Sequence, residues 1–196
     1  MKKILNFLIL VSFLGASSLK AEGVYVGIDY LNNKIDTGVT NISSSLDETD
    51  NGYSIYGGLN VNPNLDLEFS YQNFGEASLS GVSGNQFSYA GTTYQFTRTA
   101  TITAEATSIG FAAKPKHKIN ENAEIYAKIG LHSWDSDLNV AAGTASGSVS
   151  DSGTDLFYGL GVQANFENLS ARLGYSMYKL DDEDVSSINA GLSFKF

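Results

Sequence analysis

Two acids and two bases, Asp29, Glu68, Lys128 and Arg172, stand in four stretches where apolar and polar residues alternate. Each falls on the polar parity of its stretch, about three to five residues past the start; at ~3.3 Å per residue the four share one level if the stretches are neighbouring strands. The chemistry available to such a quartet is mutual neutralisation. An unpaired charge held away from water costs several kcal/mol, and the planar five-donor fork of Arg172 suits a two-pronged carboxylate contact. We expect the four to pair and fill the space that the strands enclose. The alternative is that trapped water solvates each one separately.

Other reactive side chains are less suggestively placed. His132 and Ser133 are adjacent and therefore point to opposite faces of a strand. His117 lies between Lys116 and Lys118 in a connecting stretch, where solvation is the plain reading. Asp47-Glu48-Thr49-Asp50-Asn51-Gly52 opens like a calcium loop, but Gly58 occupies the place of the bidentate Glu. Asp135-Ser136-Asp137-Leu138-Asn139 lacks the Gly that such a loop needs for its turn. No catalytic residue, metal site or cofactor is expected.

Eight period-two segments carry these residues: 24–31, 52–62, 65–74, 104–113, 123–134, 155–166, 169–178 and 185–196. Each is about 9–11 residues, the length of a tilted membrane strand, and their number is even. The fourth is the weakest, with Glu105 on its apolar parity, which places that residue at a rim. Connections 62–64, 114–122 and 167–168 are compact. Connections 32–51, 75–103 and 135–154 are long and rich in Ser, Thr, Gly and Asp, and 179–184 is short and acidic. Short turns on one side and long loops on the other predict an all-β, eight-stranded antiparallel up-and-down barrel in a membrane, with periplasmic turns and extracellular loops.

Alternation alone also suits a soluble barrel with the opposite sense. The polar parity is mostly Gly, Ser, Asn and Gln, a poor solvent face, and the apolar parity carries no Lys, Arg or Asp within the inferred hydrocarbon band. The membrane sense follows. Met1-Lys2-Lys3 and the apolar residues 4–14 read as a secretory signal, cleaved after Ala21 or after Ser18. Residues 1–21 are then a signal peptide and 22–196 one barrel domain. Removing Lys2, Lys3 and Lys20 takes the formal charge from −9 to −12, which argues against a nucleic-acid partner. Cysteine is absent, so the sheet must hold itself together without disulfides.

Two resemblances sharpen this reading. The final run Asn189-Ala190-Gly191-Leu192-Ser193-Phe194-Lys195-Phe196 is similar to the C-terminal signal of bacterial outer-membrane barrels, which implies recognition by the barrel-assembly machinery through Asn189, Gly191, Phe194 and Phe196. Residues 120–135 (NENAEIYAKIGLHSWD), 153–161 (GTDLFYGLG) and 169–182 (LSARLGYSMYKLDD) resemble the outer membrane protein A-like transmembrane domain. That family implies an eight-stranded outer-membrane barrel with an internal salt-bridge network, onto which Glu68, Lys128 and Arg172 map. Asp29 departs from it, standing where a basic residue is common. No peptidoglycan-binding domain follows Phe196, so attachment to the cell wall is not carried over.

The expected function is that of an integral outer-membrane protein supporting envelope integrity, with a plugged interior and long loops available for surface interaction. Its expected partners are outer-membrane lipid and lipopolysaccharide; the loop composition names no ligand. A small porin or ion channel is the alternative. Acids 181–184 suit either divalent ions bridging lipopolysaccharide or a plain solvated loop. A lipid-A-modifying barrel enzyme is a further alternative, but a deacylase of that kind needs a His and a Ser two apart on one face.

Overall fold

The computed structural model describes residues 23–40 and 42–196; the expected signal peptide lies outside them. Eleven strands follow in order: β1 (Val24–Asp36), β2 (Ser45–Asp47), β3 (Thr49–Asn62), β4 (Leu65–Gly81), β5 (Gln86–Tyr89), β6 (Thr92–Gln95), β7 (Ala100–Lys118), β8 (Ala123–Ala142), β9 (Ala145–Phe166), β10 (Leu169–Leu180) and β11 (Glu183–Lys195). Eight of them form a ring in the order β4-β3-β1-β11-β10-β9-β8-β7, and β7 pairs back to β4 to close it. Every pairing in the ring is antiparallel. Closure leaves no free edge in the ring, which hydrocarbon demands because it offers backbone groups no partner.

The alternation read from the sequence decides which way each side chain points. Ile28, Leu131, Leu160, Leu173 and Leu192 are more than half exposed on the outer surface, while Asp29, Gln72, Lys128, His132 and Arg172 are buried inside. Aromatic rings frame the outer apolar band. Tyr30, Tyr53, Tyr158 and Tyr175 are exposed toward the loop end, and Phe166, Phe194 and Phe196 toward the turn end, the girdles expected at two membrane interfaces.

The turn end is tight. Residues 63–64 and 167–168 are two-residue turns, with Glu167 at φ 53°. The loop end differs from the sequence reading. Residues 135–154, expected as a loop, instead continue β8 and β9 in unbroken register from Ala123↔Ala164 to Ala142↔Ala145. Their turn is made by Gly143 at φ 66°. The stretch 75–103 likewise holds the upper half of β4, the β5–β6 hairpin and the start of β7. The polar composition that suggested loops belongs to strands standing in water above the membrane.

A bulge prepares this extension. The β4–β7 register skips between Asn73 and Glu76, around Gly75 at φ 80°. Asn73 accepts the Gly75 N–H at 3.0 Å, and Asp50 accepts the Glu76 N–H at 2.8 Å. The extra residue moves the inward parity of β4 from Phe74 to Ala77 and Leu79, all buried. Above the bulge, β2 joins the edge of β4 through Leu46↔Leu79.

Candidate functional site: the barrel interior

Arg172 on β10 is the hub. Its Nε donates to Asp29 Oδ1 at 2.8 Å and its Nη2 to Asp29 Oδ2 at 2.5 Å, the two-pronged contact that a guanidinium favours. Its Nη1 donates to Glu68 Oε1 at 2.9 Å and Oε2 at 3.2 Å. The guanidinium lies 3.4 Å from the centre of the Tyr56 ring, close enough for a cation–π contact. Lys128 Nζ approaches Glu68 Oε2 at 3.3 Å. Asp29, Glu68, Lys128 and Arg172 thus occupy one level, on strands β1, β4, β8 and β10.

Three charges outside that quartet join it. Lys114 Nζ sits 3.2 Å from Glu68 Oε1 and 3.8 Å from Asp66 Oδ2, and it donates to Gln163 Oε1 at 2.8 Å. Lys116 reaches Asp66 Oδ1 at 2.7 Å from the turn end. The Tyr25 hydroxyl donates to Glu68 Oε1 at 2.9 Å and lies 3.2 Å from Asp66 Oδ2. Asp66 was visible on the polar parity of its segment. Lys114 lies one step of parity beyond Ala112, but ending that strand at residue 113 hid it in a turn.

A second storey of different chemistry sits above the charges. Phe157 stacks on Tyr178 at 5.1 Å and 11°, and Phe74 meets Tyr178 edge-on at 4.9 Å. His132 lies edge-on to both Phe157 and Tyr178, with Nε2 2.8 Å from the carbonyl oxygen of Lys179. A carbonyl only accepts, so Nε2 carries the proton in that bond. Trp134 donates from Nε1 to Asp155 Oδ2 at 2.7 Å. Ile35, Leu180 and Val185 complete this buried cluster. Its aromatic residues were readable as inward by parity, but their meeting required the register of four strands.

These two storeys, inside a closed ring with an apolar exterior, are the setting in which the chain compares with known proteins. Residues 7–196 match the family model described as outer membrane protein beta-barrel domain. The chain belongs to that family.

This outer membrane barrel shares its fold with several solved structures. Ail, the attachment invasion locus protein of Yersinia pestis, aligns with a TM-score of 0.55 and 22% identity, over 89% of this chain and 99% of that one. Neisserial surface protein A aligns at 0.57 and 17%, over 89% and 97%. OprG from Pseudomonas aeruginosa aligns at 0.53 and 9%, over 90% and 98%. A search of curated proteins found no match. The barrel resides in the bacterial outer membrane.

The remaining residues singled out in the sequence are dispersed. His132 is buried in the barrel interior, while Ser133 is exposed on the outer surface. The segment 47–52 is not wrapped around a common point. Glu48 Oε1 accepts the Thr37 hydroxyl at 2.8 Å, and Asp50 holds the β4 bulge. Among the described residues, no three His, Cys, Asp or Glu side chains are grouped to hold a metal ion. In the C-terminal strand Asn189 is buried inside, and Phe194 and Phe196 face outward with rings 5.4 Å apart. Gly191 lies beneath Asp29, where an added Cβ would stand 1.9 Å from Asp29 Oδ1.

Proposed function

We propose that this barrel is a closed structural element of the outer membrane, which supports the envelope and presents a rigid protein surface outside the cell. The observation that carries the proposal is the pair of stacked interior storeys. Asp29, Asp66 and Glu68 are bonded there to three buried cations (Lys114, Lys128, Arg172) and to the half-buried Lys116, with a fourth buried carboxylate, Glu124, nearer the turn end, all beneath a packed aromatic layer. An eight-stranded ring has an interior only wide enough for side chains, and mutually bonded charges leave little reason for an ion to enter. Outer-membrane lipid and lipopolysaccharide surround the apolar band in this reading. The outward Phe194 and Phe196, with buried Asn189 and close-packed Gly191, form the signal read by the assembly machinery.

The outer surface is the second part of the proposal. A related fold, Ail, is known in complex with the heparin analogue sucrose octasulfate. The loop end of the present barrel is acidic, through Asp36, Asp137, Asp151, Asp181, Asp182 and Glu183, so a polyanion of that kind is disfavoured here. The test of the closed barrel is reconstitution in planar lipid bilayers. We expect a flat current trace with protein that shows heat-modifiable gel mobility; steady unitary conductance steps from such protein would establish a channel instead.

A further inference from the structure

Above the membrane, β9 loses one of its two neighbours. Its pairing with β10 ends at Phe157↔Tyr178, whereas its pairing with β8 runs on to the hairpin turn at Ala145. Among the described residues, segment 145–152 therefore has strand partners on one side only. Native edge strands are commonly blunted by Lys, Pro, a bulge or shortness. This segment reads Ala-Ser-Gly-Ser-Val-Ser-Asp-Ser, and its register with β8 is continuous. Of the usual protections it carries a single charge, Asp151.

The face beside this edge is apolar and partly uncovered. Val149 and Leu138 are cross-strand partners on the inward parity, 68% and 40% exposed. Further round the same face, Phe96, which follows β6, covers Gly81 of β4 and is buried. That cover stops short of β8 and β9. Charge then selects the visitor: Asp151 lies on the edge itself, and Asp155 and Asp181 lie at its base, joined by an N–H bond from Asp181 to Asp155 Oδ2 at 3.2 Å. The nearby Lys179 is already paired with Asp184 at 2.8 Å.

We infer that the upper half of β9 is a docking edge for an extended, basic segment of another protein, which adds as a strand and lays alternate apolar side chains beside Val149 and Leu138. This rests on the surface-presentation reading above and names its partner class. Main-chain bonds supply the affinity in such an addition, and the side-chain pockets and flanking charge supply the selection.

The test uses the mature protein folded in phosphatidylcholine nanodiscs and a synthetic peptide of alternating Val and Thr flanked by paired Lys. Hydrogen exchange at amides 145–152 should slow for alternate residues by about ten-fold at saturation, the signature of a new strand pairing. A peptide with Glu in place of Lys, and one with every core amide methylated, should each bind about ten-fold more weakly or worse. Val149→Lys, an exposed position away from the barrel wall, should weaken the Lys-flanked peptide comparably while leaving heat-modifiable mobility unchanged. Absence of binding, equal binding of the methylated peptide, or protection confined to residues outside β9 would each overturn the inference. None of these outcomes bears on conductance, so the docking edge and the closed barrel fail separately.

Discussion

Replacing Arg172 with Met removes the hub of the charged storey and leaves two buried carboxylates behind, but not equally. Glu68 keeps Lys114 at 3.2 Å, Lys128 at 3.3 Å and the Tyr25 hydroxyl at 2.9 Å. Asp29 loses both of its guanidinium bonds, at 2.8 and 2.5 Å, and Arg172 is its only salt-bridge partner among the described residues. Stranding a buried charge costs about 3–5 kcal/mol, and nearly all of it should trace to Asp29. Adding Asp29→Asn to Arg172→Met should therefore restore about 2–3 kcal/mol, whereas adding Glu68→Gln should restore less than about 1 kcal/mol. Urea unfolding in lipid vesicles, followed by the emission of the single tryptophan, Trp134, measures all of these variants. With a urea slope of about 2 kcal/mol per molar, the single substitution should lower the midpoint by about 2 M. A loss under about 1 kcal/mol, or a double variant no more stable than Arg172→Met, would refute the hub.

Three further outcomes follow from the same geometry. Phe157→Ala opens the aromatic storey and should cost about 3–5 kcal/mol in the same assay. Gly191→Ala forces a methyl group against Asp29 and against the carbonyl oxygen of Ile28, 2.6 Å from the added Cβ, and should cost about 1–3 kcal/mol; in the Asp29→Ala background that penalty should shrink but not vanish, because the Ile28 contact remains. At the loop end, burial and then the neighbouring Asp36 and Asp181 push the Glu183 carboxyl above its ordinary 4.5, against a bond with Tyr89 that lowers it. The folded state thus binds this proton more tightly than the unfolded chain, so its stabilising contribution is complete at low pH and fades as pH rises through the folded midpoint. A carboxyl-carbon NMR titration should place that midpoint above 4.5. Glu183→Gln should raise thermal stability at neutral pH and leave it unchanged at pH well below the midpoint.

The barrel wall was legible because its rule is binary. Once Val26, Ile28 and Tyr30 oppose Tyr25, Gly27 and Asp29, hydrocarbon outside and charge inside admit one assignment for the whole strand. The charged quartet was legible for the same reason, with depth counted from each strand's start. The extended β8–β9 hairpin was not, because the rule reverses above the membrane. Leu138 and Val140 share the inward parity of Lys128 and His132, while Asn139 and Ala141 continue the face that carries Leu131 below. Outside lipid the outward side meets water, and Ser or Thr suits it as well as any residue. Serine-rich strands therefore carry the composition of loops. Lys114 was hidden for a smaller reason, a strand end drawn at residue 113 where β7 continues to Lys118. The aromatic storey depended on which strands are neighbours, information that no single stretch of residues holds.

The contact between Asp29 and Arg172 joins β1 to β10 while passing over β11, the strand on which the sheet must close. An unclosed sheet holds this acid and this base at opposite margins, with no way to meet. Sliding β1 by one residue against β11 would swing Asp29 outward among acyl chains; sliding it by two would carry it about 6.6 Å along the seam and out of reach. The bond thus acts as a latch that engages in a single alignment of β1 with β11.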